Sequence, residues 1–226
     1  MRTMGRCCVG LILGLLLFTI PAFADYTVDF GTGLAQAGGS ITTSGVYVIG
    51  TNIPIGSMSV VGTASEDGTY VVSGVLSQPG GYAGVLDFNT QTGVVQVFGS
   101  VPSLGLGTAG TQLAQPLLNG TMTLSDLSVN FGMAKGKPVS ISIWVDGTDS
   151  KNASLLAALG IPASTPFQFT SFFTSGTTQN GKTGGSPYTA VSTDITNYGT
   201  AVPVPPALLL LGSGLSGLAF ARRRKS

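Results

Sequence analysis

Residues Val139-Ser-Ile-Ser-Ile-Trp-Val-Asp146 decide how the middle of this chain folds. Val139, Ile141, Ile143 and Val145 alternate with Ser140, Ser142, Trp144 and Asp146. Successive side chains of an extended chain point to opposite faces, so this period of two describes a strand with one buried face. β-Branched residues on that face fit a pleated, packed surface. Trp144 falls on the polar parity and is therefore predicted to face away from the core.

Working outward, the same kind of segment recurs. Thr69–Leu76 (TYVVSGVL), Gly93–Gly99 (GVVQVFG) and Phe167–Phe173 (FQFTSFF) read as further strands rich in β-branched and aromatic residues. Asp87–Gly93 (DFNTQTG) joins two apolar runs through turn-forming residues, as a hairpin does. Between Met122 and Phe131 the apolar parity switches from even (Met122, Leu124) to odd (Leu127, Val129, Phe131), which predicts a β-bulge near Ser125-Asp126. The exception is Ser150–Gly160 (SKNASLLAALG), a short helix capped by Ser150 and ended by Gly160 and Pro162. Strands at regular spacing with glycine turns predict an all-β fold, an antiparallel β-sandwich or jelly-roll-like body with one short helix.

Composition narrows the chemistry. The chain has no histidine, and its two cysteines, Cys7 and Cys8, lie before the first apolar run. The body from residue 25 to 201, some 177 residues, is long enough for one domain with a core. It carries four lysines (Lys135, Lys137, Lys151, Lys182), no arginine and nine acidic residues, which leaves it at −5. An acidic body without a clustered basic face is a poor partner for nucleic acid. Without histidine there is no Ser-His-Asp arrangement, and without histidine or cysteine in the body a transition metal lacks its usual ligands.

Several motifs match on paper and lack their context. Gly176-Thr-Thr-Gln-Asn-Gly-Lys-Thr183 spells a phosphate-binding loop, but Gly184-Gly185-Ser186-Pro187 follows, where no helix starts. Gly105-Leu-Gly-Thr-Ala-Gly110 spells GxGxxG without a parallel βαβ unit. Neither predicts a nucleotide. Asp146, Asp149 and Asn152 offer three oxygen ligands for Ca²⁺, yet the EF-hand order and its bidentate glutamate are missing. Turns and helix starts use the same residue types. Glu66, the only glutamate, stands beside Asp67-Gly68, where a turn is the plainer expectation than a carboxylate pair. A Ser-Lys dyad has no spacing to single it out. The expectation is a protein without catalytic residues, metal or cofactor.

The ends supply the destination. Arg2 and Arg6, the apolar run Val9–Ile20 and the small-x-small site Ala22-Phe23-Ala24 have the order of a secretory signal peptide, residues 1–24. At the other end, Val202-Pro203-Val204-Pro205 precedes Ala207–Ala221, fifteen residues without a charge, and then Arg222, Arg223, Arg224 and Lys225. Fifteen helical residues span about 22 Å, short of the ~30 Å hydrocarbon core unless the bilayer thins or flanking residues reach out. The basic cluster would remain cytoplasmic. Residues 202–226 resemble the PEP-CTERM sorting signal of exported bacterial proteins, in its VPxPA-like variant. Its three parts fall at Val202–Pro205, at Gly212-Ser213-Gly214-Leu215 within the apolar segment, and at Arg222–Lys225. Ser192–Asn197 is similar to the approach segment of such proteins, while Val204 stands where the family often has glutamate.

That resemblance implies a chain cut by signal peptidase and held in the inner membrane of a Gram-negative bacterium by a transmembrane helix. An exosortase would then cut it and release it to the cell surface or extracellular matrix. It further implies an exopolysaccharide or biofilm setting. Two functions follow as expectations. One is a structural or adhesive surface protein. The other is a secreted glycan-binding or glycan-active β-sandwich that stacks sugars on Tyr70, Tyr82, Trp144 or Tyr188, with exposure of Trp144 beside a carboxylate-lined cleft as the discriminating feature.

Overall fold

The computed structural model describes residues 26–33, 35–178 and 187–199. The signal-peptide residues, including Ala22 and Ala24, and the sorting segment from Val202 to Lys225 lie outside the described residues, as does most of the loop expected after Gly176. Among the described residues no helix is long and apolar enough to cross a membrane.

The fold is all-β, and every strand pairing is antiparallel. In chain order the strands are β1 (Tyr26–Gly31), β2 (Gly38–Ser44), β3 (Tyr47–Ile55), β4 (Ser57–Val61), β5 (Gly68–Val71), β6 (Leu76–Gln78) and β7 (Gly81–Asn89). They continue as β8 (Val94–Phe98), β9 (Leu118–Met122), β10 (Ser128–Ala134), β11 (Lys137–Lys151), β12 (Phe167–Thr178) and β13 (Tyr188–Gly199). The helix α1 (Ala153–Ala158) sits between β11 and β12. The segment Val139–Asp146 lies inside β11, and its odd positions Ile141, Ile143 and Val145 are buried as expected.

Three long strands form a shared panel. β12 pairs with β11 on one side and with β13 on the other. The outer side of β11 is divided, Ser140–Trp144 facing β10 and Gly147–Lys151 facing β9. The outer side of β13 is divided in the same way, Tyr188 and Ala190 facing β2 and Asp194–Gly199 facing β1. From β2 the pairing continues through β3, β7, β8 and β9 back to β11, so the sheet closes on itself. β4 and β5 extend from β1 as a second wing. Phe88 of β7 meets Phe172 of β12 edge-to-face at 5.1 Å, although their strands share no hydrogen bonds. The two walls therefore face each other across an interior of Val, Ile, Leu and Phe side chains.

Four local expectations change or sharpen. The parity switch near Ser125-Asp126 is a 3-10 turn, Leu124–Asp126, and not a bulge in one strand. It lies where the chain leaves the β9 segment of β11's edge and enters the β10 segment, and β11 itself shifts register there, between Val145 and Gly147. Thr69–Leu76 is not one strand, because the Ser73 and Val72 amides turn away to the carbonyls of Ser100 and Gly56. The helix begins after Asn152, whose Oδ1 accepts the Ser154 amide at 2.9 Å, and Ser150 belongs to β11. The strand outcompetes the helix here because Ser150 and Lys151 pair with Asn119 and Leu118. The hairpin at Asp87–Gly93 forms between β7 and β8, and Gly93 takes the positive φ its turn needs.

Phenylalanine rings lie over the glycines they pair with on neighbouring strands, Phe169 over Gly147 and Phe88 over Gly50. A Cβ at Gly147 would collide with the Phe169 ring and the Thr121 carbonyl, and a Cβ at Gly50 would enter the Phe88 ring. Gly147→Ala is expected to destabilise the fold by about 1–3 kcal/mol through overpacking at the junction of β9, β11 and β12. Thr148→Ala, one residue along on the exposed face, is the control. Chemical denaturation should show the first variant losing stability and the second staying close to the parent.

Candidate functional site

Odd positions of β11 keep facing inward to its end, and this carries two charged side chains into the interior. Asp149 and Lys151 both have fully inaccessible side chains, and Lys151 Nζ donates to Asp149 Oδ2. The amine lies 4.6 Å from the centre of the Phe167 ring and 6.0 Å from that of Phe30. Rings at such distances give partial electrostatic compensation to a cation. Compensation is incomplete. Asp149 Oδ1, Asn197 Oδ1 and Thr165 Oγ1 are buried without a hydrogen-bond partner among the described residues.

Burial penalises the charged form of each group. Desolvation lowers the Lys151 amine to about 8, against the pull of Asp149 and the weaker pull of Asp29. Desolvation likewise raises the Asp149 carboxyl, with Lys151 opposing the shift. Asp29 is raised by burial and by Asp194, while the Asn197 amide, at 2.8 Å from its Oδ1, acts the other way. Both side chains are closed off from solvent.

On the outer face of the same strands lies a groove of about 380 Å³, bordered by Gln115, Pro116, Asn119, Ser150, Asn152 and Ser154. Its polar groups are amides and hydroxyls, and they largely hold one another. Asn119 Oδ1 accepts from Gln96 Nε2 at 3.0 Å, Ser150 Oγ donates to the Asn119 carbonyl at 3.3 Å, and Asn152 Nδ2 donates to the Pro116 carbonyl at 3.4 Å. Lys151 borders the groove while its amine stays inside the fold.

The residues singled out from the sequence do not converge. Asp146 is exposed, Asp149 faces inward to Lys151, and Asn152 caps α1, so these three oxygens are not gathered for Ca²⁺. Among the described residues no group of three histidine, cysteine or acidic side chains has metal-binding geometry. Glu66 lies in the turn before β5, where it receives the Tyr70 hydroxyl, and Asp67 is held by the Thr63 amide and hydroxyl. The Thr63 hydrogen bonds pull the Asp67 carboxyl below its ordinary value. Gly105, Gly107 and Gly110 all take positive φ in a loop between β8 and β9, as turn glycines do. Of the four aromatic candidates, Tyr188 is in the core and Tyr70 is engaged by Glu66. Tyr82 and Trp144 are exposed, on strands separated by β8 and β9. Trp144 is 55% exposed, opposite Ser128 of β10, and does not border the groove.

No family model matches this chain, and neither the curated proteins nor the solved structures include a match to it.

The buried pair makes stability depend on pH in a defined direction. Between about pH 8 and the ordinary lysine value of 10.5, the unfolded chain still holds a proton that folded Lys151 has lost. Stability from this group therefore rises with pH across that window. Lys151→Met should abolish the rise and, by stranding Asp149, cost about 3–5 kcal/mol. Asp149→Leu combined with Lys151→Met should cost far less than the single change. Urea titrations of the three proteins on either side of pH 8, the upper one staying below the ordinary lysine value, check both expectations.

Proposed function

We propose that this chain is an exported cell-surface or extracellular-matrix protein, sorted and cut by an exosortase, with a structural or adhesive body. The observation that carries the proposal is the C-terminal order of Val202–Pro205, a fifteen-residue uncharged segment and Arg222–Lys225, paired with the signal-peptide order at the other end. Processing would involve signal peptidase and the inner membrane of a Gram-negative bacterium, and the released body would lie in an exopolysaccharide setting. The body itself is taken to be sandwich-like or jelly-roll-like. The contact of Phe88 with Phe172 across the interior supports that, as does the way β11 and β13 each divide their partners between two wings. A structural role is also supported by the inaccessibility of the buried Asp149–Lys151 pair.

The intact mass of the protein from its native host, in membrane and released fractions, tests the sorting. The expected species starts at Asp25 and ends between Val202 and Pro206. A mass that retains Arg222–Ser226 in every fraction overturns exosortase processing.

A second reading has one specific observation in its favour, the exposure of Trp144 on a face it shares with Ser142 and Asp146. Exposed rings stack on sugar faces. Trp144 is the only tryptophan, so its fluorescence reports directly on a bound glycan. Titration with the host's own exopolysaccharide should shift and quench that emission if the glycan-binding alternative holds, and Trp144→Ala, compared with the parent by isothermal titration calorimetry, should then lose at least about tenfold in affinity. An unchanged spectrum leaves the structural reading standing alone.

A further inference from the structure

The sheet order runs from β10 at one end to β5 at the other, and each of these strands is laddered to a single described strand, β11 and β4 respectively, with Ser73, two residues past β5, bridged to Ser100. A strand paired on one side presents a row of backbone donors and acceptors to any chain that can add to it. Both edges also carry apolar side chains in solvent. Phe131 and Met133 of β10 are 46% and 59% exposed, and Val71 of β5 is 60% exposed.

Charge distinguishes the two edges. Lys135 and Lys137 are the exposed lysines among the described residues, and both stand at the turn where β10 ends. Glu66 and Asp67 stand immediately before β5 begins. Hydrogen bonds from Thr63 stabilise the charged form of Asp67. When two strands pair antiparallel, the start of one lies beside the end of the other. Antiparallel addition of β5 to β10 therefore sets Glu66 and Asp67 beside Lys135 and Lys137. A β10–β10 pair makes a smaller match, because each basic end then falls beside one carboxylate, Asp126, where the β5 end offers two.

From these edges we infer that the partner of this surface is a second copy of the chain, the β10 edge of one copy receiving the β5 edge of the next. The contact joins two different surfaces, so it is heterologous, and repetition adds copies in a line unless the rotation between them closes a ring. Main-chain hydrogen bonds supply the attachment. Burial of Phe131, Met133 and Val71 adds to it, and the charges fix its direction. The inference rests on the sheet edges and stands whether or not an exosortase cuts the chain.

Sedimentation of the exported, purified protein over a range of concentrations tests it. The expected result is a weight-average mass that rises past the dimer with concentration and falls as salt screens the charges. Lys135→Asp with Lys137→Glu reverses the β10 end, and aspartate suits the positive φ of position 135. Glu66→Lys with Thr69→Lys reverses the β5 end while leaving Asp67 in place. Each reversed protein should associate about tenfold more weakly than the parent. An equimolar mixture of the two should recover association, because the acidic β10 edge of one then meets the basic β5 edge of the other. Recovery cannot come from misfolded chains, so it separates a lost contact from a lost fold. A monomer at all concentrations, a mass that stops at the dimer, or reversed proteins that fail to complement each other overturns the inference.

Discussion

The structure depends on the hydrogen-bonding capacity of one three-strand panel. β11, β12 and β13 are longer than their neighbours, and β12 is satisfied on both sides by the other two. The outer sides of β11 and β13 then each need partners along fifteen and twelve residues, more than any single short strand supplies. Each is served by two strands in succession, and the chain between them turns or shifts register. Closure through β2, β3, β7, β8 and β9 removes most free edges, since a strand with neighbours on both sides has partners for its backbone groups. Among the described strands, those left with a single partner are β10, β5 and β6.

Placement of the core rings follows from residue size. Glycines at positions 50, 120 and 147 admit the rings of Phe88 and Phe169 where any Cβ would block them. Aromatic side chains thereby lie across the backbone of the neighbouring strand, and the core is held without a disulfide, as the body has no cysteine. Against this apolar interior, Asp149 and Lys151 are an unusual load. Their mutual attraction offsets only part of the cost of leaving water, which explains why burial pushes both toward their neutral forms. A pair so placed holds the end of β11 beside Phe167 and Phe30.

The outward surface has the opposite character. Hydroxyls and amides dominate the groove. Among the described residues the accessible amines are concentrated at one hairpin, and the acidic turn lies at the far wing. A surface with few charges and two complementary edges suits attachment and assembly better than recognition of a charged small molecule.

By itself the sequence determined the antiparallel all-β class, the inward parity of Ile141, Ile143 and Val145, the outward Trp144 and the hairpin at Asp87–Gly93. Each depends on residues near one another in the chain, where alternation and turn chemistry act locally. It also contained the signals on which the export proposal rests, since those lie in linear order. The fate of Ser150, Lys151 and Asn152 was not legible in the same way. Cap residues, a helical run and a terminal glycine favour an early helix there, and only the pairing of Ser150 and Lys151 with β9 extends the strand and moves the cap to Asn152. The burial of Lys151 was foreshadowed by parity, because Asp149 and Lys151 continue the odd positions of β11, but parity does not say how far a strand runs. Tyr188, a suitable ring for sugar in isolation, became core because β13 closes against β2 and β12. Tertiary structure alone decided these points, because burial is set by which distant strands supply the missing hydrogen bonds, and no local pattern of side chains encodes that choice.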